Sequence, residues 1–366
     1  MKVLVATPLY PPESGGPATY VAELEHGLPE RGIEVVIVKF SDVRHLPTLI
    51  RHIAYGIRVF FAAEGVDLIY ALDPVSVGVP ALVAARLRGK PLAVKIVGDF
   101  AWEQGMQKYG ITTPLEVFVR EKNVALPLRF FRFLQKEVAL SARRVIVPST
   151  FLKGIVEAWG VESAKIDVIY NAVKLPAVGQ VVEALGELPR PLVVSVGRLV
   201  PWKGNRELID AVRLVRQKGK KLSVAIIGDG PERHTLGARA KDTLGSGYTF
   251  TGTLSHADAF AAIQYADMYV LDSLYEGLSH TLVEARMAGA AIVASNRGGN
   301  PEVVEHEIHG LLVPAEDSQK LSDALERLLD DGELRARLKT NAKDTSGRFD
   351  VGSMLEKIAE RLRAIV

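Results

Sequence analysis

Short apolar runs alternate with longer mixed segments along the whole chain. KVLVAT, VVIVKF, DLIYAL, LAVKIVG and RVIVPS fall in the first half, and LVVSVG, LSVAIIGDG, MYVLDS and AIVAS in the second. Each run is rich in β-branched and aliphatic residues and is bounded by polar or turn-forming ones, which predicts strands. The segments between them are long enough for crossover helices, so each half predicts a parallel sheet wound with helices. The rhythm breaks at NAVKLPAVGQVVEALGELPRP, where Pro, Gly and charge replace it, and this stretch marks a junction between two domains.

Length agrees, since 366 residues at roughly 150 per domain make two domains, each with room for its own core. Hydrophobic residues at 48% and charged ones at 24% describe a soluble globular protein. There are no cysteines, which excludes disulfides, thiolate catalysis and cysteine-based metal sites. The eight histidines form no convincing cluster, and His306 and His309 read as loop residues. No stretch of about 18 residues is apolar without charges, and MKVLVATPLYPP is too short and proline-interrupted for a signal peptide, so a cytoplasmic location is expected.

The richest chemistry lies in EGLSHTLVEARMAG, where Glu276 and Glu284 stand with seven residues between them. MYVLDS places Glu276 and Gly277 at the carboxyl end of a strand, and His280 to Met287 reads as a helix closed by Gly289. Gly277 lets a backbone approach a ligand closely, and the first turn of the helix is an anion site that suits a diphosphate. Two carboxylates beside an anion must bind something else, and sugar hydroxyls fit. The alternative is a solvated helix start carrying two surface acids. A second group stands in VVSVGRLVPWKG, where a buried strand runs into Gly197, Arg198, Lys203 and Gly204 before a helix beginning near Asn205. Strand ends leading into helix starts are where open α/β sheets bind ligands, and two cations there can stabilise a departing diphosphate. Trp202 precedes Lys203 where a Walker loop needs glycine, and Gly204 follows where it needs Ser or Thr, so kinase and ATPase readings lose weight. Surface charges remain the plain alternative for the pair.

GRLVPWKG, IIGDGPE, YEGLSHTLVEARMAG and GGNPEVV followed by HGLLVP, in that order, closely resemble the carboxyl half of retaining GT-B glycosyltransferases of family four. PLYPPESGGPATYVAELEHGLPERGIEVVIV resembles the opening strand, glycine-pair loop and first helix of the same family, so the resemblance covers nearly the whole chain. It implies an α/β fold of two Rossmann-like, doubly wound parallel-sheet domains facing across a cleft. One is an acceptor domain of residues 1–172 with 348–366, because the family's last helix crosses back to the first domain. The other is a nucleotide-sugar domain of residues 173–347. The implied reaction moves a hexosyl unit from a nucleoside diphosphate sugar to a hydroxyl acceptor, and many family members use lipid-linked acceptors at the cytoplasmic face. By resemblance, Glu284 binds the ribose hydroxyls, Glu276 orients the sugar, and Arg198 and Lys203 hold the diphosphate. Backbone around Leu278, Ser279, His280 and Thr281, with Gly197 and Gly228, completes the donor cradle, and Gly15 and Gly16 approach it from the first domain. Phe250 and Thr251 line the base pocket or, equally, form a plain strand and turn. No Asp-x-Asp pair occurs in the chain, so protein cations are expected in place of a metal ion, with no cofactor.

Two departures stand out. Relatives carry a histidine after the fourth strand of the first domain, whereas this chain reads VKIVGDFAWEQ and has no histidine between His52 and His234. Asp99 is the nearest replacement, with Trp102 and Glu103 as sugar or acceptor contacts; alternatively Asp99 caps the following turn. The family's Asn-Gly at the interdomain crossing is Asn171-Ala172 here. Other classes stay open. A non-catalytic nucleotide-sugar binder would keep Glu284 but need not keep Arg198 with Lys203, and an epimerase or phosphorylase can share the architecture. An NAD-dependent oxidoreductase would need a Gly-x-Gly-x-x-Gly that ATPLYPPESGG lacks.

Charge adds one more expectation. The net +2 divides into +4 over residues 1–180, with 21 Lys and Arg against 17 Asp and Glu, and −2 over the remainder, with 24 against 26. So small an excess does not suggest a nucleic-acid partner. Arg44, Arg51 and Arg58 recur every seven residues, one stripe of a helix beside Leu49, Ile53 and Phe60. Arg129, Arg132 and Lys136 share a face in LPLRFFRFLQKEV, with Phe130, Phe131 and Leu134 elsewhere. Such helices either lie on an anionic membrane or pack their apolar residues into the domain core.

Overall fold

The structure, a computed structural model, describes residues 1–13, 15–177, 179–343 and 347–366. Val178, in the expected junction, lies outside the described residues. The chain divides into two compact units, Met1–Ala172 with Arg348–Val366, and Val173–Gly347.

The first unit is built on six parallel strands: β1 (Lys2–Thr7), β2 (Glu34–Lys39), β3 (Leu68–Ala71), β4 (Leu92–Lys95), β5 (Arg144–Val147) and β6 (Ile166–Val168). Their order is β2-β1-β3-β4-β5-β6, so the chain reverses its direction of travel across the sheet between β1 and β3. Val3 to Ala6 and Leu68 to Ala71 are fully buried, as strands covered on both faces must be. On one face the sheet packs the helix Gly16–Gly27 and the C-terminal helix Val351–Arg363, through Leu24, Met354, Leu355 and Ile358. A Cβ on Gly27 would stand 2.2 Å from a Leu355 methyl, so only glycine lets these helices close. The C-terminal helix therefore returns to the first unit.

The second unit is again built on six parallel strands, in a different order: β7 (Leu192–Val196), β8 (Ser223–Ile227), β9 (Tyr248–Gly252), β10 (Met268–Leu271), β11 (Ile292–Ser295) and β12 (Leu311–Val313). The order is β12-β11-β10-β7-β8-β9, with every pairing parallel and the reversal between β7 and β10. Its core joins these strands to the helices Asn205–Gln217 and Ser318–Asp330 through Leu208, Val212, Leu325 and Leu328. Strands β6, β9 and β12 are absent from the apolar runs, and all three are sheet edges. The fourth edge, β2, is among the runs, so edge position alone does not hide a strand; β6 and β12 are only three residues long, and β9 is half-buried throughout.

The basic helices depart from expectation. Arg44 lies outside the helix Thr48–Ala62; it contacts Glu13 and the Pro8 carbonyl, leaving Arg51 and Arg58 alone on the helix. Nor does the apolar surface pack inward as a core helix requires. Tyr55 and Val59 are buried, but Leu49 and Ile53 are exposed, as is Phe130 on the helix Leu126–Ser141. Arg132 is structural, its guanidinium bonding the carbonyls of Phe118 and Glu121 over the Phe118 ring.

Candidate functional site

Open parallel sheets bind ligands beyond the carboxyl ends of their strands, at the point where strand order reverses. In the second unit that point lies between β7 and β10, and the loops after these two strands carry the charged groups. After β7, the chain passes Gly197 and Arg198 and makes a short 3₁₀ turn over Pro201–Lys203. Gly204 then starts the helix Asn205–Gln217 in a left-handed conformation, φ +68°. A Cβ there would sit 2.0 Å from the Asp272 carbonyl oxygen, so glycine is required both for the turn and for the approach to the loop after β10. The Leu274 N–H donates to the Trp202 carbonyl at 2.8 Å, tying the two loops together.

That tie brings Lys203 onto Glu276. The ammonium donates to Glu276 Oε1 at 2.5 Å, and the Ser273 hydroxyl donates to the same oxygen at 2.7 Å. Both charged side chains keep a little solvent access, 17% for Lys203 and 12% for Glu276. Behind Glu276, the Gly299 N–H donates to its carbonyl oxygen at 2.8 Å, and Gly298 and Gly299 lie too close to the Glu276–Gly277 backbone to carry a Cβ. Arg198 is exposed nearby in sequence and makes no ion pair among the described residues.

The helix His280–Met287 has the expected bounds. Ser279 is its N-cap, accepting from the Leu282 N–H, and its hydroxyl lies 3.1 Å from that of Thr281. Leu278 is buried and His280 half-buried. Glu284, one turn in, is buried to 6% exposure and pairs through Oε1 with His256 Nε2 at 2.7 Å. That hydrogen bond raises the His256 pKa above its ordinary value, against an opposing pull from burial. His256 was missed as a site residue. Its signal is the Ser-x-x-Asp start of SHAD, where Ser255 caps the helix His256–Tyr265 by accepting from the Asp258 N–H and so fixes where His256 projects.

Of the other residues expected to hold a donor, Gly197 and Gly228 follow the carboxyl ends of β7 and β8, and Phe250 and Thr251 lie on β9. Gly197 donates its N–H to the Ile227 carbonyl at 2.9 Å, and Gly228 donates to Gly252 at 2.9 Å. Phe250 is half-buried on β9, packed on the core with the Arg233 guanidinium 4.5 Å from its ring centroid, and the Thr251 hydroxyl donates to the Gly252 carbonyl. In the first unit, Gly15 caps the helix that begins at Gly16. Asp272, on the loop beneath Gly204, is buried with neither carboxylate oxygen hydrogen-bonded. Burial, then the acids Glu207, Glu316 and Asp317, push its pKa up to about 8. Among the described residues no three His, Asp or Glu side chains converge as a metal-binding group.

Two residues expected as sugar contacts are buried in the first unit, and Asp99 takes the alternative expected of it, a helix cap. Asp99 is 1% exposed, and its Oδ1 accepts from the Trp102 N–H at 2.9 Å, capping the helix Phe100–Lys108. Trp102 is fully buried, with Nε1 donating to the Thr113 carbonyl at 2.8 Å. Both are held inside the first unit by the helix Leu126–Ser141, whose Gln135 accepts from the Ala101 N–H. Glu103 keeps partial exposure.

Two family models match the chain: glycosyl transferase 4-like domain over residues 39–172, and glycosyl transferases group 1 over residues 183–345. The chain belongs to the GT-B glycosyltransferases of family four. Among its relatives in that family, the alpha-D-kanosaminyltransferase of Streptomyces kanamyceticus is 35% identical over 164 residues, 44% of this chain and 42% of that protein. A GDP-mannose-dependent alpha-(1-6)-phosphatidylinositol monomannoside mannosyltransferase of Mycobacterium tuberculosis is 31% identical over 188 residues, 49% of this chain and 48% of that protein. The chain thus spans about half the length of these curated relatives. Anabaena HepE, solved in complex with UDP-glucose, superimposes over the full length of both chains with a TM-score of 0.78 at 21% identity, a likeness of fold.

Proposed function

We propose that this protein is a retaining glycosyltransferase that moves a hexosyl unit from a nucleoside diphosphate sugar to a hydroxyl acceptor, without a metal ion. The observation that carries this reading is the Lys203–Glu276 pair at the β7/β10 reversal, beside the N-terminus of the helix bearing Glu284. Lys203 and Arg198 neutralise the diphosphate as it departs, and the first-turn N–H groups of the helix His280–Met287 add their dipole. Glu284 takes the ribose hydroxyls, and Glu276 takes a sugar hydroxyl once the diphosphate draws Lys203 from it. The anomeric carbon–phosphate bond breaks while the acceptor oxygen bonds the same face, and the acceptor proton passes to the leaving phosphate. The second unit is the donor domain and the first the acceptor domain. Support for transfer over interconversion comes from relatives named as transferases, and because one of these is named for a phosphatidylinositol monomannoside, lipid-linked hydroxyls are acceptors to test.

The test is thermal unfolding with UDP, GDP and ADP sugars, followed by an acceptor screen with the stabilising donor. A donor at roughly 100 times its dissociation constant adds about 2.7 kcal/mol of stability. Transfer to an added acceptor, unaffected by EDTA, is the expected result. Donor interconversion without transfer would replace this reading by an epimerase, and loss of activity in EDTA would remove metal independence.

A further inference from the structure

The helix Thr48–Ala62 has two apolar faces. Tyr55 and Val59 point to the core, while Leu49, Ile50, Ile53, Ile57 and Phe61 point to solvent. At about 100° per residue those five fall within one arc, roughly opposite the buried pair. This helix packs on Gly78–Arg88, which packs on Leu126–Ser141. Each neighbour repeats the arrangement, with Val83 and Leu87 outward on one and Leu126, Phe130 and Phe133 on the other. All these side chains are between 52 and 79% exposed. Single exposed apolar residues are ordinary, but a set spread over three adjacent helices marks an interaction surface.

The polar groups on these helices say what covers it. They carry seven Lys and Arg and one acid, Glu137. Arg58 and Arg88 pair with Asp42 and Glu64, whereas Arg129 and Lys136 are exposed beside the phenylalanines. A second copy of the chain would set like charges against each other across such a face. An anionic bilayer accepts both parts, apolar side chains below the headgroups and cations among them. No helix among the described residues is long and apolar enough to cross a membrane, so the contact is parallel to the surface.

We propose that the outer face of the helices Thr48–Ala62, Gly78–Arg88 and Leu126–Ser141 docks the protein on an anionic lipid bilayer. The proposal does not depend on the reaction assigned above, because vesicle binding needs neither donor nor acceptor. It is tested by co-sedimentation of the full chain with phosphatidylcholine vesicles, with and without phosphatidylglycerol. Binding is expected to the anionic vesicles and to be weaker, by about tenfold or more, to the neutral ones. Combining Ile53→Ser, Ile57→Ser and Phe61→Ser should weaken vesicle binding by at least about tenfold with an unchanged unfolding midpoint, since these side chains leave water only on the membrane. Arg129→Gln with Lys136→Gln should lower binding to anionic vesicles and leave binding to neutral ones as it was. Absence of binding in the parent, or equal binding by parent and both variants, overturns the proposal. Concentration-dependent self-association without vesicle binding also overturns it, giving the face to a second copy.

Discussion

Each unit hides one Lys, Arg, Asp or Glu side chain with no hydrogen-bond partner for any of its polar atoms among the described residues, and one is basic, the other acidic. In the first unit it is Lys95, at the carboxyl end of β4, with Nζ 3.8 Å from the Tyr20 ring centroid and its pKa lowered by burial to about 7. In the second it is Asp272, at the end of β10, raised to about 8. β4 and β10 are each the fourth strand of their unit in chain order, but β10 stands at the strand-order reversal of its sheet and β4 one strand away from the reversal of its own, so the two groups of opposite type are buried at topologically different places. The acids that follow differ as well. Asp99 is locked into a helix cap, whereas Glu276 meets Lys203 within reach of solvent. The loop after the strand at the reversal of the second sheet is thus a charged site, whereas the loop after β4, away from the reversal of its own sheet, is core.

The largest expected effect tests that asymmetry directly. Lys203→Ala should lower turnover by about 100-fold or more, equivalent to roughly 3 kcal/mol, because a preorganised cation facing developing charge is lost. Arg198→Ala should fall in the same range. If steady-state kinetics show full activity in both variants, the charged loops of the second unit are structural too and the contrast disappears.

Next come the buried charges, whose pH dependences run in opposite directions. The Lys95 pKa is lower folded than unfolded, so between about pH 7 and 10.5 the unfolded chain holds more protons and stability rises with pH. The Asp272 pKa is higher folded, so the folded chain holds the extra proton between about pH 4 and 8 and stability falls as pH rises through that window. Lys95→Met should therefore stabilise most below pH 7, and Asp272→Asn most above pH 8, each by on the order of 2 kcal/mol. Denaturant titrations across pH check both; a gain that does not vary with pH would mean that packing, not charge burial, is what the substitution relieves.

A smaller effect separates cap from catalyst. Asp99→Ala should cost about 1 kcal/mol, the usual loss of an N-cap. In a unit of this size that lowers the unfolding midpoint by about 2–4 °C. Turnover should stay within about twofold, and Asp99→Asn, which still accepts a hydrogen bond, should melt near the parent. A hundredfold loss of turnover in the Asn variant would return Asp99 to the reaction.

What could be read from the chain follows the same physics. Central strands are apolar on both faces and declare themselves as continuous runs, as does the edge strand β2, whereas β6 and β12 are only three residues long and β9 is half-buried throughout, and these three do not. Lys203 and Glu276 could each be placed at a strand end, but they are 73 positions apart. Their meeting depends on β10 pairing with β7, a reversal of strand order that no local pattern encodes. The burial of Asp99 and Trp102 was not legible, because sequence fixes their position after β4 but not the helix Leu126–Ser141 that seals them in. The outward stripe of Thr48–Ala62 was ambiguous for a related reason. Periodicity defines an apolar face, and Tyr55 with Val59 already supply one that faces the core.

The smallest effect concerns the pair that sequence missed. His256 holds Glu284 Oε1; under the proposed function the other carboxylate oxygen accepts from a ribose hydroxyl, and His256 acts by positioning it. Its pKa is raised in the folded state, chiefly by that hydrogen bond, so the stabilisation is complete below the unfolded value near 6.5 and fades as pH rises through the folded one. Because the imidazole is nearly half exposed, solvent screening limits the contribution to a few tenths of a kcal/mol. His256→Gln should therefore lower stability slightly at pH 6 and not at pH 9. The donor KM should rise by about two- to fivefold at low pH with little change in kcat, since a freed Glu284 must be ordered again at each binding event. A fall in kcat at constant KM would place His256 at the reacting atoms instead, and with it the chemistry nearer the Glu284 helix than the Lys203–Glu276 pair.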